Sequence, residues 1–274
     1  MIYVSTSTIR YNKNLMNVLD RYHKIGIKHV ELGAVHFYIR DYSWLFDFKQ
    51  KTNMNFIVHG FFPPTKTPFF LNIGSQNKVF LKKSLVVAKK GISMCANLGS
   101  SLYSLHGGML YDYGPNLTPL SKRYRPEDVF STMCDSLKEL CDFAGAYNIK
   151  IAVENMVNRE SMLLVESKEF RNLFEQVKNK NLGALVDIGH LNMAFTDKSL
   201  QARFIRDIAS RVFEFHIHKN NGNCDQHLPI EQTDIFDIVP RGILKKVYLT
   251  LEGQNNWSED DIKRTASLIG DLFF

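Results

Sequence analysis

Short apolar runs alternate with longer stretches of helical periodicity along the whole chain. Eight runs are rich in branched and aromatic residues and read as buried parallel strands. They are Ile2–Ser5, His29–Leu32, Phe56–His59, Leu102–His106, Lys150–Glu154, Ala184–Asp187, Phe213–His218 and Val247–Glu252. Leu15–Ile25 follows the polar Asn14 and stops at Gly26, a residue suited to the left-handed position after a helix. Asn77–Asn97 carries apolar residues at helical spacing and ends before Leu98-Gly99. Pro126, Glu127 and Asp128 open a helix through Ala146, because proline lacks an N–H that the first turn leaves unpaired and acids complement its positive end. Ser258, before three acids, predicts the cap of the last helix. Strand and helix alternating eight times predict an α/β protein, a (β/α)8 TIM barrel forming a single domain over 1–274. A doubly wound open sheet is the competing architecture, but no Gly-rich phosphate loop follows the first strand.

In such a barrel, a polar residue that ends an apolar strand points into the mouth. Nearly every strand here ends that way: His59, His106, Glu154 followed by Asn155, Asp187 with His190 three residues on, His216 with His218, and Glu252. Asp225 and His227 follow in the loop after the seventh strand. Any one of these alone reads as a hydrogen-bonded structural residue. Together they mean more, because burying Glu154, Asp187 and Glu252 side by side is costly: like charges raise one another's pKa. A divalent cation removes that cost, and imidazoles and carboxylates are the ligands of zinc and manganese. His216 and His218 share one strand face, since side chains repeat every two residues. Glu31 stands near the end of the second strand as a possible pocket residue, whereas His23, His29 and His36 read as structural. Two long irregular stretches, Gly60–Gln76 and Gly107–Tyr124, follow strands and belong at the same end.

Composition adds bounds rather than a function. A chain of 274 residues suits one barrel, and 45% hydrophobic with 23% charged residues is ordinary for a globular protein. The net charge of +6 favours anionic partners, but the Lys and Arg residues are scattered and form no basic arm. Cys95, Cys134, Cys141 and Cys224 form no C-x-x-C pair and read as free thiols of a reducing compartment. The chain opens directly on a strand, and no apolar run reaches the roughly 18 residues of a membrane span. The expectation is a cytoplasmic protein with no membrane partner. Apolar outer helix faces leave a homo-oligomer open.

The segments VHGFFPP…LNIGS, SLHGG, IAVENM, LVDIGHLNMA, FHIHKNNGNCDQHLPI and LTLEG, spread from Phe56 to Glu252, resemble the xylose isomerase-like barrel superfamily. That superfamily joins sugar isomerases and epimerases to endonuclease IV-type apurinic endonucleases. The resemblance implies that Glu154, Asp187, His216 and Glu252 hold the single metal of the epimerase-like members. It implies that His59, His106, His190, Asp225 and His227 match the additional ligands of the three-zinc endonucleases. The cofactor expected is therefore zinc or manganese, one to three ions.

Two departures bear on the substrate. The endonucleases carry H-x-N-D after the seventh strand, where this chain has His216-Ile217-His218-Lys219. The Gly-Glu-Gly that follows H-L-P in sugar isomerase-like members is replaced by Ile230-Glu231-Gln232. The reading favoured by the resemblance is a metal-dependent sugar or sugar-phosphate isomerase or epimerase. It would transfer a proton through a metal-stabilised enediolate, with Glu154 and Glu252 as the proton-transferring pair and His190, His218 and Lys219 binding the substrate. The alternative is a zinc-dependent apurinic endonuclease with nucleic acid as partner, in which Tyr38, Arg40 and Tyr42 either enter the duplex or begin a helix packed on the barrel. A barrel that binds without catalysis is the third reading, and the full set of ligand types argues against it.

Overall fold

The computed structural model describes residues 1–9, 14–33, 36–114, 118–157, 160–254 and 256–273. Eight parallel strands close in sequence order into a barrel. They are β1 (Ile2–Ser5), β2 (His29–Leu32), β3 (Asn55–His59), β4 (Leu102–His106), β5 (Lys150–Glu154), β6 (Leu182–Asp187), β7 (Val212–Ile217) and β8 (Tyr248–Leu251). Closure comes from β1 pairing with β8, Ile2 against Leu249 and Val4 against Leu251. The helices are α1 (Leu15–Lys24), α2 (Ser43–Thr52), α3 (Lys78–Leu98), α4 (Pro126–Gly145), α5 (Ser167–Val177), α6 (Ile188–Ala194), α7 (Lys198–Ile208), α8 (Arg241–Leu244) and α9 (Glu259–Phe273).

The expected caps are in place. The Asn14 side chain accepts the Asn17 N–H, Gly26 has a φ of 87°, and Ser258 exchanges hydrogen bonds with Asp261. The last two strands each end one residue earlier than their patterns predict, so His218 and Glu252 lie just past the sheet. The segment 37–42 is irregular, with α2 starting only at Ser43; Tyr42 is buried edge-on against Phe62 while Tyr38 is exposed. The four cysteines are free. No helix among the described residues is long and apolar enough to cross a membrane.

The main core lies between strands and helices, where residues such as Val30, Leu32, Val58, Val153 and Phe215 face outward from the barrel. Inside, Tyr3, Ile57, Leu102, Ala152 and Leu185 form an apolar plug. Two residues further along each strand the interior turns polar: Ser5, Glu31, Ser104, Glu214 and Thr250 are all buried. One irregularity sets the phase of β7. Ala184 pairs with Val212 and Leu185 with Glu214, so Phe213 is an extra residue in β7. Gly183 makes room for it, since a Cβ there would overlap the Phe213 ring. The bulge turns Glu214 and His216 inward together.

Candidate metal centre

The strand ends deliver their polar side chains to one cavity of about 570 Å³ at the barrel mouth. His59, His106, Glu154, His190, Asp225, His227 and Glu252 line one wall, and Phe61, Phe70, Met156, Val157 and Met162 supply an apolar one. Among the described residues, five sets of side chains bring ligand atoms close enough to share an ion: Glu154, Asp187 and His216; His59, His106 and Glu154; His190, Asp225 and His227; His218, His227 and Glu252; and Glu31, His59 and His216. Glu252 also approaches the first set, its Oε2 lying 3.0 Å from His216 Nδ1.

Local structure fixes several of these groups. Asp187 ends β6 and caps α6, its Oδ1 accepting the His190 N–H at 2.8 Å. Asn155, next to Glu154, accepts the Asp187 N–H at 2.7 Å, and its own carbonyl lies 2.8 Å from His190 Nδ1. One residue therefore registers both the D-x-x-H turn and the end of β5. His227 has a φ of 47°, uncommon for a residue with a Cβ. Its carbonyl accepts the Trp257 indole N–H, and paired backbone hydrogen bonds between Lys219 and Leu228 pin the loop to the end of β7.

The donor set fits a divalent cation. Buried atoms of this wall approach one another without hydrogen-bonding. Glu154 Oε2 lies 3.2 Å from His106 Nε2 and 3.6 Å from His59 Nε2, yet it has no hydrogen-bond partner. His216 Nδ1 is likewise unpartnered despite the nearby Glu252 carboxylate. Lone pairs that converge without aligning are what a shared cation needs, whereas an unpaired buried polar group is otherwise costly. The charges point the same way. Burial disfavours charge on His190, yet Asp187, Asp225 and Glu154 push it up to about 10. Burial is likewise outweighed at His227, which Asp225, Glu252 and Asp187 push up to about 9. The carboxylates of Glu154 and Asp187 are held below their ordinary range, against burial, chiefly by these and neighbouring imidazoles. The site draws positive charge, which protons supply in the free protein and a divalent ion supplies in their place.

The remaining expected residues are a buried imidazole packed behind the wall and a lysine outside the cavity. His218 is fully buried beside the wall, its Nε2 3.0 Å from Asp187 Oδ2 and its ring stacked 3.7 Å over that of His227. Lys219 is partly exposed and paired with Glu231 at 2.6 Å, outside the lining of the cavity. Two acids beneath the wall carry a weaker signal in the sequence. Glu31 contacts His216 Nε2 at 3.0 Å, and Glu214 accepts the Thr250 hydroxyl at 2.6 Å. Burial, then the Glu31 carboxylate, pushes Glu214 up to about 8. The alternation Glu214-Phe-His216-Ile-His218 is the pattern that marks Glu214 as inward-facing.

The model of the xylose isomerase-like TIM barrels matches residues 19–261. The chain belongs to that family. An uncharacterized member of the curated proteins, MJ1614 of Methanocaldococcus jannaschii, is 26% identical over 267 residues, 94% of each chain. Among solved structures, a D-tagatose 3-epimerase-like protein superposes with a TM-score of 0.76 at 22% identity, covering 99% of this chain and 96% of that one. The IolI protein with a bound zinc atom superposes at 0.75 and 16% identity, covering 99% and 97%. At these identities the likeness is one of fold.

Proposed function

We propose that the protein is a divalent-metal-dependent isomerase or epimerase of sugars or sugar phosphates. The observation that carries this reading is the pairing of two carboxylates, the buried Glu154 on β5 and the partly buried Glu252 just past β8, in one cavity beside the His216 imidazole. Glu154, Asp187, His216 and Glu252 would hold the ion. When bound, it supplies Lewis acidity toward a carbonyl oxygen and a neighbouring hydroxyl of the substrate.

The chain's own groups then move the proton. Against burial, nearby imidazoles keep Glu154 and Glu252 below the ordinary carboxylate range, so neither starts out protonated at neutral pH. One carboxylate removes the proton next to the carbonyl, and the other returns one to carbon or oxygen. His190, whose ring is fixed by the Asn155 carbonyl, contacts sugar hydroxyls in this reading. His218 and Lys219 complete the substrate-binding set through the β7 loop. The wall of Phe61, Phe70 and Met156 excludes water and packs against the carbon face of the sugar. The fold shared with a D-tagatose 3-epimerase-like protein supports a ketose as substrate, and that shared with zinc-bound IolI supports a metal.

One observation favours a second reading. The groups at His59, His106 and Glu154, at Glu154, Asp187 and His216, and at His190, Asp225 and His227 suit up to three ions, the arrangement for phosphodiester hydrolysis at an abasic site. A paired assay separates the two readings. Protein loaded with zinc or manganese is incubated with a ketose panel, and separately with a duplex carrying one abasic site. Conversion of a sugar that is lost in Glu154→Gln supports the proposal. Metal-dependent nicking of the duplex, with no sugar turned over, overturns it.

A further inference from the structure

The polar layer beneath the mouth contains a carboxylate for which sugar binding and proton transfer have no use. Glu31 is fully buried on β2, a strand that places no side chain at the mouth among the described residues. One step lower the same interior is filled by apolar side chains, the usual content of a barrel. A carboxylate there is costly unless it is paired. Its partner is His216: Glu31 Oε2 lies 3.0 Å from His216 Nε2. Glu214 does not compete for that nitrogen, standing 3.9 Å away with its Oε1 taken by Thr250. The opposite ring nitrogen, Nδ1, faces Glu252 at 3.0 Å and Asp187 at 3.8 Å with no hydrogen bond of its own.

We propose that Glu31 is the positioning residue of the metal centre: it accepts the Nε2–H of His216 and so commits the Nδ1 lone pair to the ion. The inference rests on the metal-dependent reading above. An imidazole has two tautomers, and only the one protonated at Nε2 offers Nδ1 to the mouth. The hydrogen bond from beneath selects that tautomer, holds the ring plane, and makes the ligand nitrogen more basic. Glu31 also stands with His59 and His216 in a group close enough to hold an ion; with Nε2 of His216 protonated, its role is instead to act through His216.

The test reads the ligand rather than turnover. In zinc-loaded protein labelled with 15N-histidine, His216 should show a protonated Nε2 and a metal-bound Nδ1. Its resonances are assigned by their loss in His216→Asn. Zinc affinity, from competition with a chromophoric chelator, should fall about 10–100-fold in Glu31→Ala and recover most of that loss in Glu31→Gln, which keeps an acceptor oxygen. Thermal melts of the metal-free variants confirm that each is folded. Zinc uptake by the parent with His216 protonated at Nδ1 would overturn this inference alone, as would a folded Glu31→Ala with unchanged affinity. If the parent takes up no ion, the metal reading falls and this inference with it.

Discussion

Gly189 and His218 claim the same space: a Cβ added to Gly189 would overlap the His218 ring. The glycine lies in the first turn of α6, and its bare backbone lets the imidazole slide in to reach Asp187. Gly189→Ala should displace His218, loosen the Asp187 carboxylate and cost about 1–3 kcal/mol of stability, as overpacking does. Urea denaturation of the metal-free protein checks the stability, and a metal titration checks the carboxylate. A variant with parental stability and affinity would show that this contact is not needed.

Asp187 does two jobs, and a pair of substitutions separates them. Its Oδ1 caps α6 while Oδ2 faces the imidazoles. Asp187→Asn keeps a cap acceptor, so the metal-free stability should stay closer to parent than in Asp187→Ala, which loses a cap worth about 1 kcal/mol. Both should lose metal affinity, because neither supplies the charge. Denaturation and calorimetric titration of the two variants read these effects independently.

Ion uptake should release protons. The metal-free protein holds His190 and His227 protonated at neutral pH, since their pKa values are raised to about 10 and about 9. An ion binds neutral imidazole, so protons leave as it enters and apparent affinity rises with pH through that range. Titration calorimetry in two buffers of different ionisation enthalpy should therefore give different apparent heats, with at least one proton released at pH 7. Equal heats would contradict the charge state described here.

Chelation should also destabilise the fold. An ion that binds only the folded chain adds about 2.7 kcal/mol at 100 times its Kd. Dialysis against a chelator should lower the melting temperature, and zinc or manganese should restore it. No shift would mean that the ligand groups do not bind the ion tightly.

The barrel and most of the mouth were legible because both rest on simple periodicities. Short apolar runs that end in His59, His106, Glu154, Asp187 and Glu252 announce themselves. Glu214 shares the inward phase of His216 and His218, but it lies inside the strand rather than at its end, where the strand-end rule does not look. The sequence offers Glu31 only as a possible pocket residue, since its partner His216 lies 185 residues away on a strand that the sequence does not place beside it. The burial of His218 depends on the missing Cβ of Gly189, a contact between the first turn of α6 and the end of β7 that no spacing rule encodes.

The central claim is proton transfer at carbon by Glu154 and Glu252 in a metal-loaded site. It is tested most directly by incubating the zinc- or manganese-loaded protein with a panel of ketoses and ketose phosphates in D2O and following the substrate by NMR. The account predicts deuterium at the carbon next to the carbonyl of at least one sugar, absent after chelation and absent in Glu154→Gln and Glu252→Gln. No exchange into any sugar by protein shown to hold its ion, together with cleavage of an abasic duplex, would contradict it.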